Sequence, residues 1–373
     1  MPFEEAANEL QATLGIQVSD STVRRLTLQA GAMTEQIQTE QAQPHRSSSR
    51  FALPLEEPAC RLAMSCDGGM VPLRGGVWAE VKTLVIGEVL AQIQQGTTAR
   101  TTAHSYFSRM TDAATFADLA SVEIERRGIE RAKEVCAVQD GAQWLQGFVD
   151  GHRPDAVRIL DFAHAAEYLG QIAEQAQQAG HPLPKHWLLV LLHQLKHHGP
   201  NRVLLHLERL KQRRPLSSIT DALRYLRKRE AQMQYPRFQA EGWPIGSGMV
   251  ESAHKIVMQS RLKGAGMHWE PANVNPMLAL RDALRNGRWK ETWLQQQQWR
   301  KDRRHALRLE RCEKKRAHLL RVLNEQIVRL CLLLPRSAPA SQPPRPKGRT
   351  EAQRRWGRQT FSRKALHLCH AKI

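Results

Sequence analysis

Three carboxylates stand in settings that could serve chemistry. Asp67 follows the alternating residues Leu62, Met64 and Cys66 and precedes Gly68-Gly69; Asp140 lies between the apolar run 135–138 and Gly141; Glu251 comes just after Gly246-Ser247-Gly248. Alternation followed by Asp-Gly predicts a short strand that ends in a tight turn, and a Gly-Ser-Gly bend with Ser247 as a cap predicts the start of a helix. Each residue alone has a plainer explanation, because Asp-Gly is most often only a turn and a helix-borne Glu is most often solvated. Two strand-end aspartates with a Glu on a later helix form the set that two-metal phosphoryl transfer requires. There, carboxylates from separate elements hold two Mg2+ or Mn2+ ions roughly 3.5–4 Å apart, one activating the nucleophile and one stabilising the leaving oxygen.

The elements that must bring these residues together are legible as a change of period. Residues 62–66, 78–89 and 101–108 alternate and predict an antiparallel meander, after which a helix capped by Asp112 covers 113–127. Strand 135–139, helix 142–149 and strand 156–160 form a crossover, so these strands are expected to be parallel. The order βββαβαβ is that of an RNase H-like mixed sheet, an α/β fold in which the strands carrying Asp67 and Asp140 are neighbours. On the Glu251 helix, Met249, Val250, Ala253, Ile256, Val257 and Ser260 predict the packed face, with Glu251, His254, Lys255 and Met258 turned away. Gly264 and Gly266 end that helix, with Arg261 and Lys263 placing positive charge near its C-terminus. Asp161 ends the last strand, and its simplest role is N-cap of the helix after it, the alternative being a fourth carboxylate near the metals. His164 reads either as a phosphate or metal contact or as a packed histidine, and His254 either as a group orienting Glu251 or as a solvent-facing one.

At the N-terminus, residues 4–14 and a helix from Ser19 or Ser21 to Ala30 have helix-turn-helix spacing, and Arg24, Arg25 and Gln29 offer groups for phosphates or base edges. An ordinary helical hairpin is the competing reading. The 373 residues then divide into this hairpin (1–33), a polar linker (34–58), the first part of the α/β domain (59–180) and a helical insertion (181–240). The final part of the domain with the Glu251 helix (241–300), a basic helical segment (301–334) and a disordered basic tail (335–373) follow. Trp289, Trp293 and Trp299 read as helix core in preference to base-stacking groups. His193 and His197 have the i,i+4 spacing of a zinc pair but lack the intervening Glu of HExxH and a third ligand.

Charge is distributed unevenly. Residues 261–373 hold 27 Lys and Arg against 8 Asp and Glu, whereas residues 1–260 hold 28 of each, so the excess of +19 falls in the last third and points to a polyanion, nucleic acid first. No apolar run approaches the roughly 18 residues of a membrane span. Six cysteines without a CxxC pair, and an N-terminus without an apolar signal, predict reduced thiols in a cytoplasmic protein.

Four motifs in order, SCDGGMVP at 65–72, QDGAQW at 139–144, ILDFAHAAEYL at 159–169, and PIGSGMVES at 244–252 running through RLKGAGMHW at 261–269, resemble the Kra-type bacterial insertion-sequence transposases. The similarity covers roughly residues 4–293. It implies a DDE transposase, with an RNase H-like catalytic domain interrupted by a helical insertion, and it carries Asp67, Asp140 and Glu251 over as the metal-binding triad for two Mg2+ or Mn2+ ions. The resemblance further implies cleavage and strand transfer at element ends, double-stranded DNA as partner and target, a homo-oligomer on that DNA, and a place in the bacterial cytoplasm at the nucleoid. Arg24, Arg25, Gln29, Lys255, Arg261 and Lys263 are the expected nucleic-acid contacts. Family members usually carry more chain before the hairpin, often with a metal-binding finger, so the resemblance leaves open an N-terminally shortened copy, a decayed copy or a misassigned start. The competing functions are a catalytically inactive DNA-binding remnant that acts as a repressor, and a structure-selective nuclease of the same fold.

Overall fold

A computed structural model describes residues 2–42, 55–57, 59–90, 99–214, 216–333 and 348. Strands β1 (Arg61–Pro72), β2 (Trp78–Val89), β3 (Thr101–Arg109), β4 (Glu134–Gln139) and β5 (Val157–Leu160) form one mixed sheet in the order β3-β2-β1-β4-β5. The first three strands pair antiparallel, β4 pairs parallel with β1, and β5 pairs parallel with β4. Helix α3 (Ala113–Arg126) connects β3 to β4 and α4 (Gln143–His152) connects β4 to β5.

Alternation along the strands distributes their side chains between two faces. Leu62, Met64 and Cys66 of β1 and Leu84 and Ile86 of β2 pack with Phe116 and Ile124 of α3 and Leu145 and Phe148 of α4. On the opposite face, Ala63, Val138 and Ile159 lie under helices α5 (Phe162–Gln178), α6 (Trp187–His198), α7 (Pro200–Arg213), α8 (Ser217–Lys228) and α9 (Tyr235–Ala240). The expected helical insertion therefore shares its core with β4, β5 and α5. Val71, Val81 and Val85 on that face are covered by α10 (Gly248–Ala253), a π-helical turn (His254–Gln259), α11 (Ser260–Leu262) and α12 (Pro271–Arg285).

Two expectations are corrected. The strand carrying Asp67 does not end there: β1 runs on for five residues, and the reversal falls at Gly75 and Gly76, both with positive φ. Gly68 and Gly69 instead allow close approach, since a Cβ at Gly68 would lie 2.9 Å from Glu80 Cδ and one at Gly69 would lie 3.2 Å from Met258 Sδ. The second N-terminal helix, α2 (Asp20–Gln41), is capped by Ser19 accepting from the Thr22 N–H at 3.2 Å and does not stop at Ala30. Residues 34–41 of the expected linker belong to it, because Gly31, Thr34, Ile37 and Gln41 form a buried face against α12. A Cβ on Gly31 would collide with the backbone of Pro276. Helix α1 (Phe3–Leu14) packs on α2, and Gln296 Nε2 donates to Ala30 O at 3.2 Å and Thr34 Oγ1 at 2.8 Å. The rest of the expected linker that falls on 43–54 and 58 lies outside the described residues.

Helix α12 also carries a buried acid. Asp282 Oδ2 accepts from the Ser108 N–H at 2.8 Å with the Arg109 guanidinium 4.0 Å away, and burial pushes its carboxyl up to about 8 against the opposing pull of Arg109.

The chain falls into two compact units, Met1–Arg304 and His305–Ile373. Helix α13 (Trp289–Leu333) supplies the described helical residues of the second unit, which expose both basic side chains and Leu319, Leu320, Leu323, Ile327 and Leu330. Trp289 and Trp293 are about half exposed on this helix, so they are not core residues as expected. The tail 335–373 lies outside the described residues apart from Gly348. No helix among the described residues is long and apolar enough to cross a membrane.

Candidate functional site

Pairing of Met64 with Ala137 and of Gln139 with Leu160 sets the register of the three central strands. Continuing that register brings Asp140 and Asp161, each one residue past the end of its strand, side by side with Asp67 within β1. The Asp67 carboxylate is held from within, accepting from the Gly68 N–H at 2.7 Å, and that of Asp140 accepts from the Ala142 N–H at 2.8 Å. Burial raises the Asp67 carboxyl above its ordinary range and Asp140 and Asp161 add to the rise, while His254 and the Gly68 N–H oppose it. Such crowding of negative charge is what a cation would relieve.

Asp161 serves as the N-cap expected of it, accepting from Ala163 N at 3.1 Å. It also accepts from Ser247 Oγ at 2.7 Å and Ser247 N at 3.3 Å, and the Phe162 N–H donates to Ile245 O at 3.0 Å. These bonds fix the start of the Glu251 helix against the end of β5.

Beyond that start the helix departs from the expected pattern. Residues 254–259 form a π turn, which adds one residue per turn and rotates everything after it. His254 and Met258 lie on the buried side with Val250, Ala253 and Val257, a stripe at spacings of three and four that is turned from the expected face, so that Ser260 is exposed. Met258 fills the space left by Gly69, and His254 is 7% exposed with Nδ1 3.9 Å from Asp67 Oδ2 and Nε2 without a partner. Burial lowers the His254 pKa and the Asp67 charge raises it in part.

Glu251 stays on the exposed side, as the spacing predicts. Its side chain is 69% exposed and pairs with Lys255 Nζ at 2.7 Å, which holds the carboxyl below the ordinary range. The structure thus brings Asp67, Asp140 and Asp161 together with His254, and leaves Glu251 in its own ion pair. Among the described residues, no three His, Cys, Asp or Glu side chains stand in a metal-ligating arrangement. The aspartates suit Mg2+ or Mn2+ by chemistry, but the third ligand is turned away.

Sequence reasoning missed the clamp on the Asp140 loop. Tyr225 of α8 donates its hydroxyl to Asp140 O, and Arg229 Nε donates to Gly141 O at 3.0 Å while its guanidinium lies 3.8 Å from the Tyr225 ring centre. Tyr168 of α5 stacks on Tyr225 at 4.1 Å, and His164 meets both rings edge-on while its Nδ1 sits 3.3 Å from Glu167. Gly141 has φ 78°, and a Cβ there would fall within 3.0 Å of Arg229 and Tyr225. The only signal in the sequence was the glycine after Asp140.

Of the expected nucleic-acid contacts, Arg24, Arg25 and Gln29 are exposed on α2. Lys255 is occupied by Glu251, and Lys263 Nζ lies 5.6 Å from the Trp78 ring centre. Arg261 is 8% exposed, between the rings of Phe3 and Trp269. His193 and His197 lie with ring centres 4.6 Å apart on α6. No protein-family model matches this chain, and no curated protein matches it.

Proposed function

We propose that this chain is a DDE transposase with an RNase H-like catalytic domain, acting on double-stranded DNA as an oligomer in the bacterial cytoplasm. The observation that carries this reading is the meeting of Asp67 and Asp140 where the parallel pairing of β1 and β4 runs out, with the start of the Glu251 helix fastened beside them through Asp161 and Ser247. The sheet order and the mixed strand directions support the RNase H-like assignment. Two Mg2+ or Mn2+ ions would supply the positive charge that activates a water and stabilises the leaving oxygen. The chain's own part is to hold Asp67 through the Gly68 N–H, Asp140 through the Ala142 N–H and the Tyr225 clamp, and to present Glu251 on a fixed helix start. For Glu251 to join them, its pair with Lys255 must open, a small cost for an exposed i,i+4 pair, and its side chain must turn toward the aspartates from the exposed side of the helix. A phosphodiester at an element end is then cut, and the freed 3′-hydroxyl attacks target DNA.

Asp67→Asn, Asp140→Asn and Glu251→Gln each remove a negative charge and keep side-chain size, so each is expected to abolish metal-dependent strand cleavage while leaving duplex affinity largely unchanged. Near-normal cleavage by one variant removes that residue from the triad. Strand transfer on end-containing DNA separates a transposase from a structure-selective nuclease, which cuts without joining. The outward Glu251 favours a second reading, a DNA-binding remnant without catalysis, and that reading is sunk if the purified protein nicks DNA when Mg2+ or Mn2+ is added.

A further inference from the structure

Arg261 is a buried cation without an anion. It lies at the end of the Glu251 helix, and its guanidinium carbon is 4.5 Å from the Phe3 ring centre and 5.1 Å from that of Trp269. Among the described residues Nη1 has only the Met267 sulfur at 4.0 Å, and Nη2, closed off from solvent, has no partner. Burial alone shifts its pKa, downward, with no carboxylate opposing the shift. A buried charge in this condition is costly unless something pairs with it.

A second orphan donor stands beside it. Trp269 is 8% exposed and its indole Nε1–H is also without a partner among the described residues. Its backbone is fixed, since Trp269 N donates to Pro72 O at 3.0 Å and Trp269 O accepts from Arg74 N at 2.9 Å, extending the end of β1. Both side chains line a cleft with Arg24 of the N-terminal hairpin, Arg74 of the β1–β2 turn, and His268. The only carboxylate in the lining, Glu270, is 3.5 Å from Arg74 at the exposed edge.

We infer that this cleft binds a phosphate group, with the Arg261 guanidinium as the inner positive charge and Arg24 and Arg74 closing over it from the rim. The occupant is a backbone phosphate of duplex DNA, which rests on the DNA-binding part of the function proposed above and not on its catalysis. Arginine fits here because its planar fork donates two parallel bonds to phosphate oxygens, and a phosphate supplies the charge that Arg261 lacks. The rim arginines come from the N-terminal hairpin and the sheet, so one phosphate links elements that otherwise read DNA separately.

The test uses the full chain without added metal, binding a fluorescent duplex across a range of salt. Arg261→Met keeps the apolar stem between Phe3 and Trp269 and removes the charge. It is expected to weaken duplex binding about tenfold and to reduce the salt slope by about 0.9 per lost phosphate contact. Its melting temperature without ligand stays level or rises, because an unpaired buried charge has been removed. If that variant misfolds, the exposed Arg24→Gln and Arg74→Gln variants carry the test, each expected to give about a threefold loss and a shallower slope. In a second arm, inorganic phosphate raises the melting temperature of the wild type and not of Arg261→Met. Unchanged duplex affinity and slope in all three variants overturns the inference. A phosphate-induced shift with unchanged duplex affinity also overturns it as stated, since the site would then serve a free phosphate. Because no metal is present, loss of cleavage in other experiments leaves this result standing.

Discussion

Replacing Gly141 by Ala tests whether the helices of residues 181–240 hold the Asp140 loop in place. The substitution forces an L residue to φ 78° and drives a methyl into Arg229 and Tyr225. The left-handed backbone costs about 1–2 kcal/mol. The methyl must also push aside the guanidinium bound to Gly141 O and the hydroxyl bound to Asp140 O. Losing a charged and a neutral hydrogen bond adds about 2–4 kcal/mol, so the total is about 3–6 kcal/mol, a large share of the stability of a domain. Urea denaturation of the full chain reads this as a lowered midpoint, and metal-dependent cleavage falls with it because Asp140 is the adjacent residue. A cycle with Arg229→Ala locates the cause: with the guanidinium gone only the Tyr225 hydroxyl still opposes the methyl, so Gly141→Ala costs about 1–3 kcal/mol less in that background. An unchanged midpoint for the single variant, or strict additivity in the cycle, refutes the clamp.

Gly31→Ala, at the contact with the Pro276 carbonyl, is expected to lower the unfolding free energy from urea denaturation by about 2–4 kcal/mol, because the obstacle is backbone and cannot swing away. Asp282 has a folded pKa of about 8 against 3.8 unfolded, so the folded state holds an extra proton between those values. Its contribution is full below about pH 3.8 and is lost as pH rises through about 8, and Asp282→Asn flattens that fall in urea midpoints taken from pH 5 to 9. Arg24→Ala with Arg25→Ala is expected to erase any preference for element-end DNA over scrambled duplex in competition binding, since both side chains are exposed on α2. A preference that survives the double change places end recognition on another surface.

The strands were legible because period-two alternation is a local property, and the order of crossovers follows from it. Asp67 and Asp140 were legible for the same reason, although Gly68-Gly69 looked like a turn and is a pair of close contacts that only the folded neighbours Glu80 and Met258 reveal. His254 was hidden because two overlapping stripes share Val250, Ala253 and Val257: the expected one ran through Met249, Ile256 and Ser260, whereas the buried one runs through His254 and Met258 at the same spacings of three and four. Residues 34–41 looked like linker because Gln and Thr are polar, and they became helix because α12, far away in sequence, offers a surface for Gly31, Thr34, Ile37 and Gln41. Tyr225, Arg229 and Trp269 act through contacts of long sequence separation, which composition and spacing do not encode.

The seat of α2 on α12 has a consequence during synthesis. Gly31 and Pro276 are 245 positions apart, so at about 5–20 residues per second the surface that receives α2 leaves the ribosome roughly 12–50 seconds after α2 itself. Throughout that interval Ile37 and its neighbours have no partner, and the N-terminal hairpin is an open amphipathic helix on a nascent chain. The sheet and the helices above it are complete in sequence before α12 appears, so the hairpin docks as a late event, and release or truncation before residue 285 leaves a chain with its first helices unplaced.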